Sequence, residues 1–197
     1  MIYDVLNFLK QRLEAFLSEG RASAEPLIVL ANPWSNNDSN KSASFLNAFS
    51  LINVEEEKIF KSQVPSFVQK GNGQYMMKEP DIKLNLYVLI SAYHKNYDDG
   101  LKFLSRVLRF FQMNPVFENT PGGLSRKEEL PEGVEKIIVE LYTAGFEQQN
   151  QIWASLSTGY IPSVIFKIRM IIIDAAVDRA VSVVREIKTN LKSIDPA

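Results

Sequence analysis

The sequence predicts an α+β fold: a single domain built on a mixed, mainly antiparallel sheet packed with helices, followed by a C-terminal arm. Three observations lead there. Apolar residues recur at helical spacing near the N-terminus and again past the middle of the chain, while several other runs alternate like strands. Their order is helix, several strands, helix, strand, helix, strand, which suits one sheet with helices against it. The 197 residues can bury a sizeable core without a second domain, and no internal repeat or low-complexity tract divides them. The expected division is a domain over 1–175 and an arm or interaction segment over 176–197.

The first element places Ile2, Leu6, Leu9, Leu13 and Phe16 on one stripe, with Lys10, Arg12 and Glu14 off it, and stops near Gly20. It is an amphipathic helix. PLIVLANP, bounded by prolines, reads as a short strand, and the polar WSNNDSNKSAS after it reads as a loop carrying the unusual Trp34. SLINVEEEKIF follows as a strand. SFVQKGNGQYMMK is a strand folded back at GNG, where glycines tolerate the positive φ of a tight turn.

DIKLNLYVLISAYH alternates cleanly, with Ile82, Leu84, Leu86, Val88, Ile90 and Ala92 on one face, and is the expected central strand. NYDDGLKFLSRVLRFFQMNPVF opens with capping residues and carries Leu101, Leu104, Leu108 and Phe111 on one stripe, Phe103, Val107 and Phe110 on the next. So wide an arc predicts a largely buried helix. Pro115 ends it, and PVFEN can add a short edge strand. TPGGLSRKEELPEG is a loop. VEKIIVELYTAGF is a strand with Ile137, Val139 and Leu141 on one face, and EQQNQIWASLS a short helix burying Ile152, Trp153 and Leu156.

The most apolar stretch, IWASLSTGYIPSVIFKIRMIIID over 152–174, is broken only by Lys167 and Arg169. A membrane helix needs about 20 mostly apolar residues, and these charges fall inside a shorter run. Alternation instead gives a long strand. One face reads Val164, Phe166, Ile168, Met170, Ile172 and the other carries Lys167 and Arg169. The final AAVDRAVSVVREIKTNLKSIDPA fits a helix face through Ala176, Ala180, Val184, Ile187 and Leu191, yet VSVVREI has strand-forming residues; an extended arm is the preferred reading.

Composition narrows function by exclusion. Twenty-two basic and 23 acidic residues give a net charge of −1, so no overall field favours nucleic acid or anionic lipid. No cysteine is present, which removes disulfides, thiolate nucleophiles and cysteine-ligated metals. The N-terminus lacks the basic start of a secretion signal, so cytoplasmic synthesis is expected. His94 is the only histidine; Glu55–Glu57 read as a solvated edge and Asp98 and Asp99 as helix-start residues. GNG and PGG are turns outside any phosphate-cradling strand-to-helix connection, and Ser155, Ser157 and Ser163 have no histidine at a usable spacing. No catalytic centre, cofactor site or metal site is expected.

An interaction role fits better. Segment 160–197 holds six basic residues (Lys167, Arg169, Arg179, Arg185, Lys188, Lys192) against four acidic, and an unpaired strand edge invites pairing with another chain. The expected partner interface comprises Lys167, Arg169, Val181, Val183, Arg185, Ile187 and Leu191.

The blocks KLNLYVLISAYHKNYDDGLKFLSRVLRFFQMNPVF and IIVELYTAGFEQQNQIWASLSTGYIPSVIFKIRMIIID, with IYDVLNFLKQRLEAFL at the start, resemble the N-terminal domain of cap, or tail-terminator, proteins of phage-tail-like contractile injection systems. The similarity runs from Ile2 to about Leu191. It implies a tail-terminator-like fold and a structural, non-enzymatic role. Such a cap forms a homo-hexameric ring on the end of the particle away from the baseplate, closing the inner tube and holding the last sheath ring. The implied partners are further copies of the chain, sheath and inner-tube proteins, and a second cap protein, with no nucleic acid and no membrane insertion. Assembly in a bacterial cytoplasm, in a particle either released or membrane-anchored, follows from the same resemblance. The alternative is a monomeric small-molecule or regulatory binding domain with Trp34 and Tyr93 over a pocket.

Overall fold

The computed structural model describes residues 1–19, 26–33, 47–57, 66–69, 75–78, 82–94, 96–118, 130–173 and 179–180. Helix α1 (Ile2–Ser18) leads into strand β1 (Ile28–Leu30), β2 (Asn47–Glu56), the hairpin strands β3 (Ser66–Gln69) and β4 (Tyr75–Lys78), and β5 (Ile82–Ser91). Helix α2 (Tyr97–Met113), β6 (Val116–Glu118), β7 (Lys136–Tyr142), helix α3 (Phe146–Ser155), β8 (Ser163–Ile173) and β9 (Arg179–Ala180) follow. Six strands form a sheet in the order β1-β2-β5-β8-β7-β6, and β3-β4-β9 form a second. Every pairing is antiparallel except β1 with β2. The expected mixed sheet is present, with β5 and β8 at its centre and β6 on an edge.

One face of the six-stranded sheet carries α1 and α2. Val5, Leu9 and Leu13 of α1 and Val107 of α2 are fully buried against Leu86, Val88, Ile90 and Ile137. Burying each such leucine or valine contributes about 2 kcal/mol. Phenylalanines stitch the layers: Phe111 lies 4.5 Å from Phe166 of β8, Phe110 lies 5.4 Å from Phe16 of α1, and Phe8 meets Phe117 of β6 edge-on at 5.7 Å. Arg106 covers the α1–α2 seam, its Nη2 donating to the Phe16 carbonyl at 3.2 Å. β1 is held by the amide of buried Asn47, which donates to the Leu27 carbonyl at 2.8 Å, while the Leu27 N–H donates to Glu14. At the start of α2, Asp99 accepts from Asn96 and then Lys102, and these bonds hold its carboxyl below the usual aspartate range.

Several faces differ from the expected ones. In α2 the buried set is Phe103, Leu104, Val107, Phe110 and Phe111 with Gly100, whereas Leu101 and Leu108 are exposed. The buried side of α2 faces the sheet and α1, and among the described residues no element covers Leu101 and Leu108. Ile82 and Leu141 are exposed too, since each sits near the end of its strand, past the helices. The largest correction concerns β8. Leu86 faces Ile168 but Leu84 faces Ile171, so β8 holds one extra residue around Arg169 and Met170. A bulge moves every later residue to the other face. After the bulge, Ile171 and Ile173 rather than Met170 and Ile172 stand in register opposite Leu84 and Ile82. A second bulge in β2 inserts Ile52 between Leu51, opposite Val88, and Asn53, opposite Tyr87.

Candidate assembly surface

Among the described residues, the other face of the sheet carries only α3. This helix is anchored by Trp153, 5% exposed, which packs with Leu89 and Ile165 while Ile152, Leu156 and Tyr142 close around them. Trp153 thus fills the core beneath the sheet as expected, and Tyr160 abuts it edge-on at 5.8 Å. Gly145 opens the helix, its N–H donating to the Gln148 side chain at 3.2 Å. The first helical side chain, Phe146, is 93% exposed.

Past α3 the face is polar and ordered by register. Asn53, Tyr87, Lys167 and Glu140 lie side by side on β2, β5, β8 and β7. The Tyr87 hydroxyl donates to Glu55 Oε2 at 2.7 Å, and Lys167 Nζ lies over the Tyr87 ring, 5.4 Å from its centroid. Tyr142 meets Tyr87 edge-to-face at 5.1 Å. Burial pushes the Tyr87 hydroxyl above its usual pKa; the bond to Glu55 pushes the same way and Lys167 opposes it. Arg169 Nη1 donates to Glu140 Oε1 at 3.2 Å, and Asn85 donates its amide to Glu57 Oε2 at 3.0 Å. A groove of about 440 Å³ runs between the β2 bulge and α3, floored by Tyr87 and Tyr142 and walled by Asn53, Gln148 and Gln151.

The two charged residues singled out in the long strand, Lys167 and Arg169, are brought together on this face, where Glu140 stands opposite Lys167 and accepts from Arg169. Val181, Val183, Arg185, Ile187 and Leu191 lie outside the described residues, as does Trp34. Of the proposed arm, Arg179 and Ala180 are described, and they pair with Met77 and Met76 of β4. Sequence reading missed Tyr87, Tyr142 and Glu140. Each occupies a polar-side position of an alternating strand, which was the available signal. Glu55 and Glu57 do share a face, but they bind β5 side chains and are not merely solvated. His94 stacks beside Phe103 with ring centroids 5.9 Å apart. Among the described residues no group of three or more His, Cys, Asp or Glu could hold a metal ion, and no helix is long and apolar enough to cross a membrane. What the surface offers is hydrogen-bonding and aromatic contact area.

Residues 4–186 match the model of the Pvc16 N-terminal domain family. The chain belongs to this family. Among solved structures, this Pvc16 N-terminal-domain chain is similar to the sheath/tube terminator of an extracellular contractile injection system, PVC, in its extended state, with a TM-score of 0.65 and 12% identity over 99% of the chain. It is also similar to the tube-terminating cap of the anti-feeding prophage, with a TM-score of 0.63 and 13% identity over 97% of the chain. It spans 64% and 62% of the lengths of those two chains. At this identity the likeness establishes a tail-terminator type of fold. No curated protein sequence matches significantly.

Proposed function

We propose that this chain is a structural cap of a contractile phage-tail-like injection particle. Six copies form a ring that closes the end of the inner tube distal to the baseplate and anchors the last sheath ring, ending polymerisation. The observation that carries this reading is the fold: family membership over 4–186 and a likeness over nearly the whole chain to two structures that are themselves terminating caps. The open sheet face supports it, because its tyrosines, amides and paired charges suit protein contacts. In this reading the arm over 176–197 grips sheath, with Val181, Val183, Arg185, Ile187 and Leu191 as its contact residues, and Lys167 and Arg169 border a neighbouring subunit. A second cap protein sits beside the ring. Assembly takes place in the bacterial cytoplasm.

Electron microscopy of purified particles tests the placement. Density for this chain is expected at the end distal to the baseplate, and density only at the baseplate would overturn the proposal.

A further inference from the structure

Within the six-stranded sheet β2, β5 and β8 lie side by side in that order, and the two outer edges of this trio differ. On one side β1 pairs only with Asn47, Ala48 and Phe49, so over 51–56 the outward backbone of β2 meets no strand among the described residues. On the other side the pairs between β7 and β8 end at Arg169, so over 170–173 the outward backbone of β8 likewise meets no described strand.

An open edge presents amide and carbonyl groups that template another strand, and proteins blunt such edges with charges, prolines or bulges. Residues 170–173 are Met, Ile, Ile and Ile, with none of these devices beyond the bulge.

We infer that the 170–173 edge of one copy pairs with the 51–56 edge of the next, so that the sheet continues from subunit to subunit around the ring. This rests on the ring reading above. Two unlike edges of one sheet make a heterologous contact, in which each copy donates with one edge and accepts with the other, and such contacts close into a ring when the rotation between copies divides a full turn. β2 and β8 are both antiparallel to β5, so they run in the same direction. Copies related by rotation about an axis along the strands then pair them in parallel.

The chain has no cysteine, so engineered pairs report without background. Val54→Cys on β2, with Ile173→Cys on β8, goes into the full-length chain. Within one subunit these positions are two strands and four residues apart, roughly 16 Å, and a bismaleimide linker shorter than that can join them only between subunits. The double variant is expected to give a covalent ladder from dimer upward, and each single variant only monomer. Rings seen by microscopy in a sample that gives no ladder would overturn the edge pairing while leaving the ring intact. A sample with neither ladder nor rings would overturn both. Dimers from Ile173→Cys alone would show like edges meeting and would also overturn it. Should the first pair fail to fold, Leu51→Cys with Ile171→Cys reads the same contact.

Discussion

Lys167 Nζ lies 3.9 Å from a carboxylate oxygen of Glu55, reaching from β8 across β5 to β2 over the ring of Tyr87. Tyr87 donates its hydroxyl to that same oxygen. Three central strands are thus clasped on the face that the large helices do not cover.

The clasp has a pH signature. Burial, reinforced by Glu55, raises the folded-state pKa of Tyr87 above about 10, its unfolded value. The folded protein then holds this proton more tightly than the unfolded chain. The stability it contributes is complete below about pH 10 and is lost as pH rises through the folded value. Alkaline unfolding followed by circular dichroism is expected to steepen above pH 10 in the parent and to flatten in Tyr87→Phe. At neutral pH the same substitution costs about 1 kcal/mol.

Two aromatic residues of α3 are expected to separate folding from contact. Trp153→Ala removes a side chain that is 5% exposed and should cost about 3–5 kcal/mol, read as a lower denaturation midpoint. Phe146→Ala removes one that is 93% exposed and should change stability by less than about 0.5 kcal/mol. Chemical denaturation of both variants checks the contrast.

Lys167→Ala and Arg169→Ala break partly exposed ion pairs, whose worth is about 0–1 kcal/mol each. Monomer stability is expected to stay within that range. Light scattering at matched concentration should nevertheless show weakened assembly if these groups border a neighbouring subunit. Unchanged assembly would remove them from the interface.

Much of this fold was legible because periodicity survives wherever apolar and polar residues take turns. Leu84, Leu86, Val88 and Ile90 share a face as the alternation required, and Leu9 and Leu13 are buried as the helical stripe required. The bulges were not legible. In β8 the extra residue falls just before an all-apolar run, where alternation carries no information about facing. In α2 the leucines at 101 and 108 are as apolar as their buried neighbours, and they are exposed because no element among the described residues packs over them. The charged face was half legible: Lys167 and Arg169 stood out within an apolar run, but Glu140 and Tyr87 acquire meaning only through a register set by tertiary pairing. The segment 181–197, read from the sequence as an arm, lies outside the described residues.

A chain cut after Ala180 keeps β9 and every other described strand. It is expected to keep the far-ultraviolet spectrum of a folded α+β domain and to lose capture of sheath in a pull-down. Full capture by the truncated chain would take the grip away from the arm.

The most direct measurement of the cap role is the length distribution of particles assembled with and without this chain. With it, tube and sheath should end together at a uniform length. Without it, ends should be ragged and lengths broadly spread, and adding the purified chain during assembly should restore uniformity. Particles of uniform length and closed ends in the absence of the chain would contradict the account.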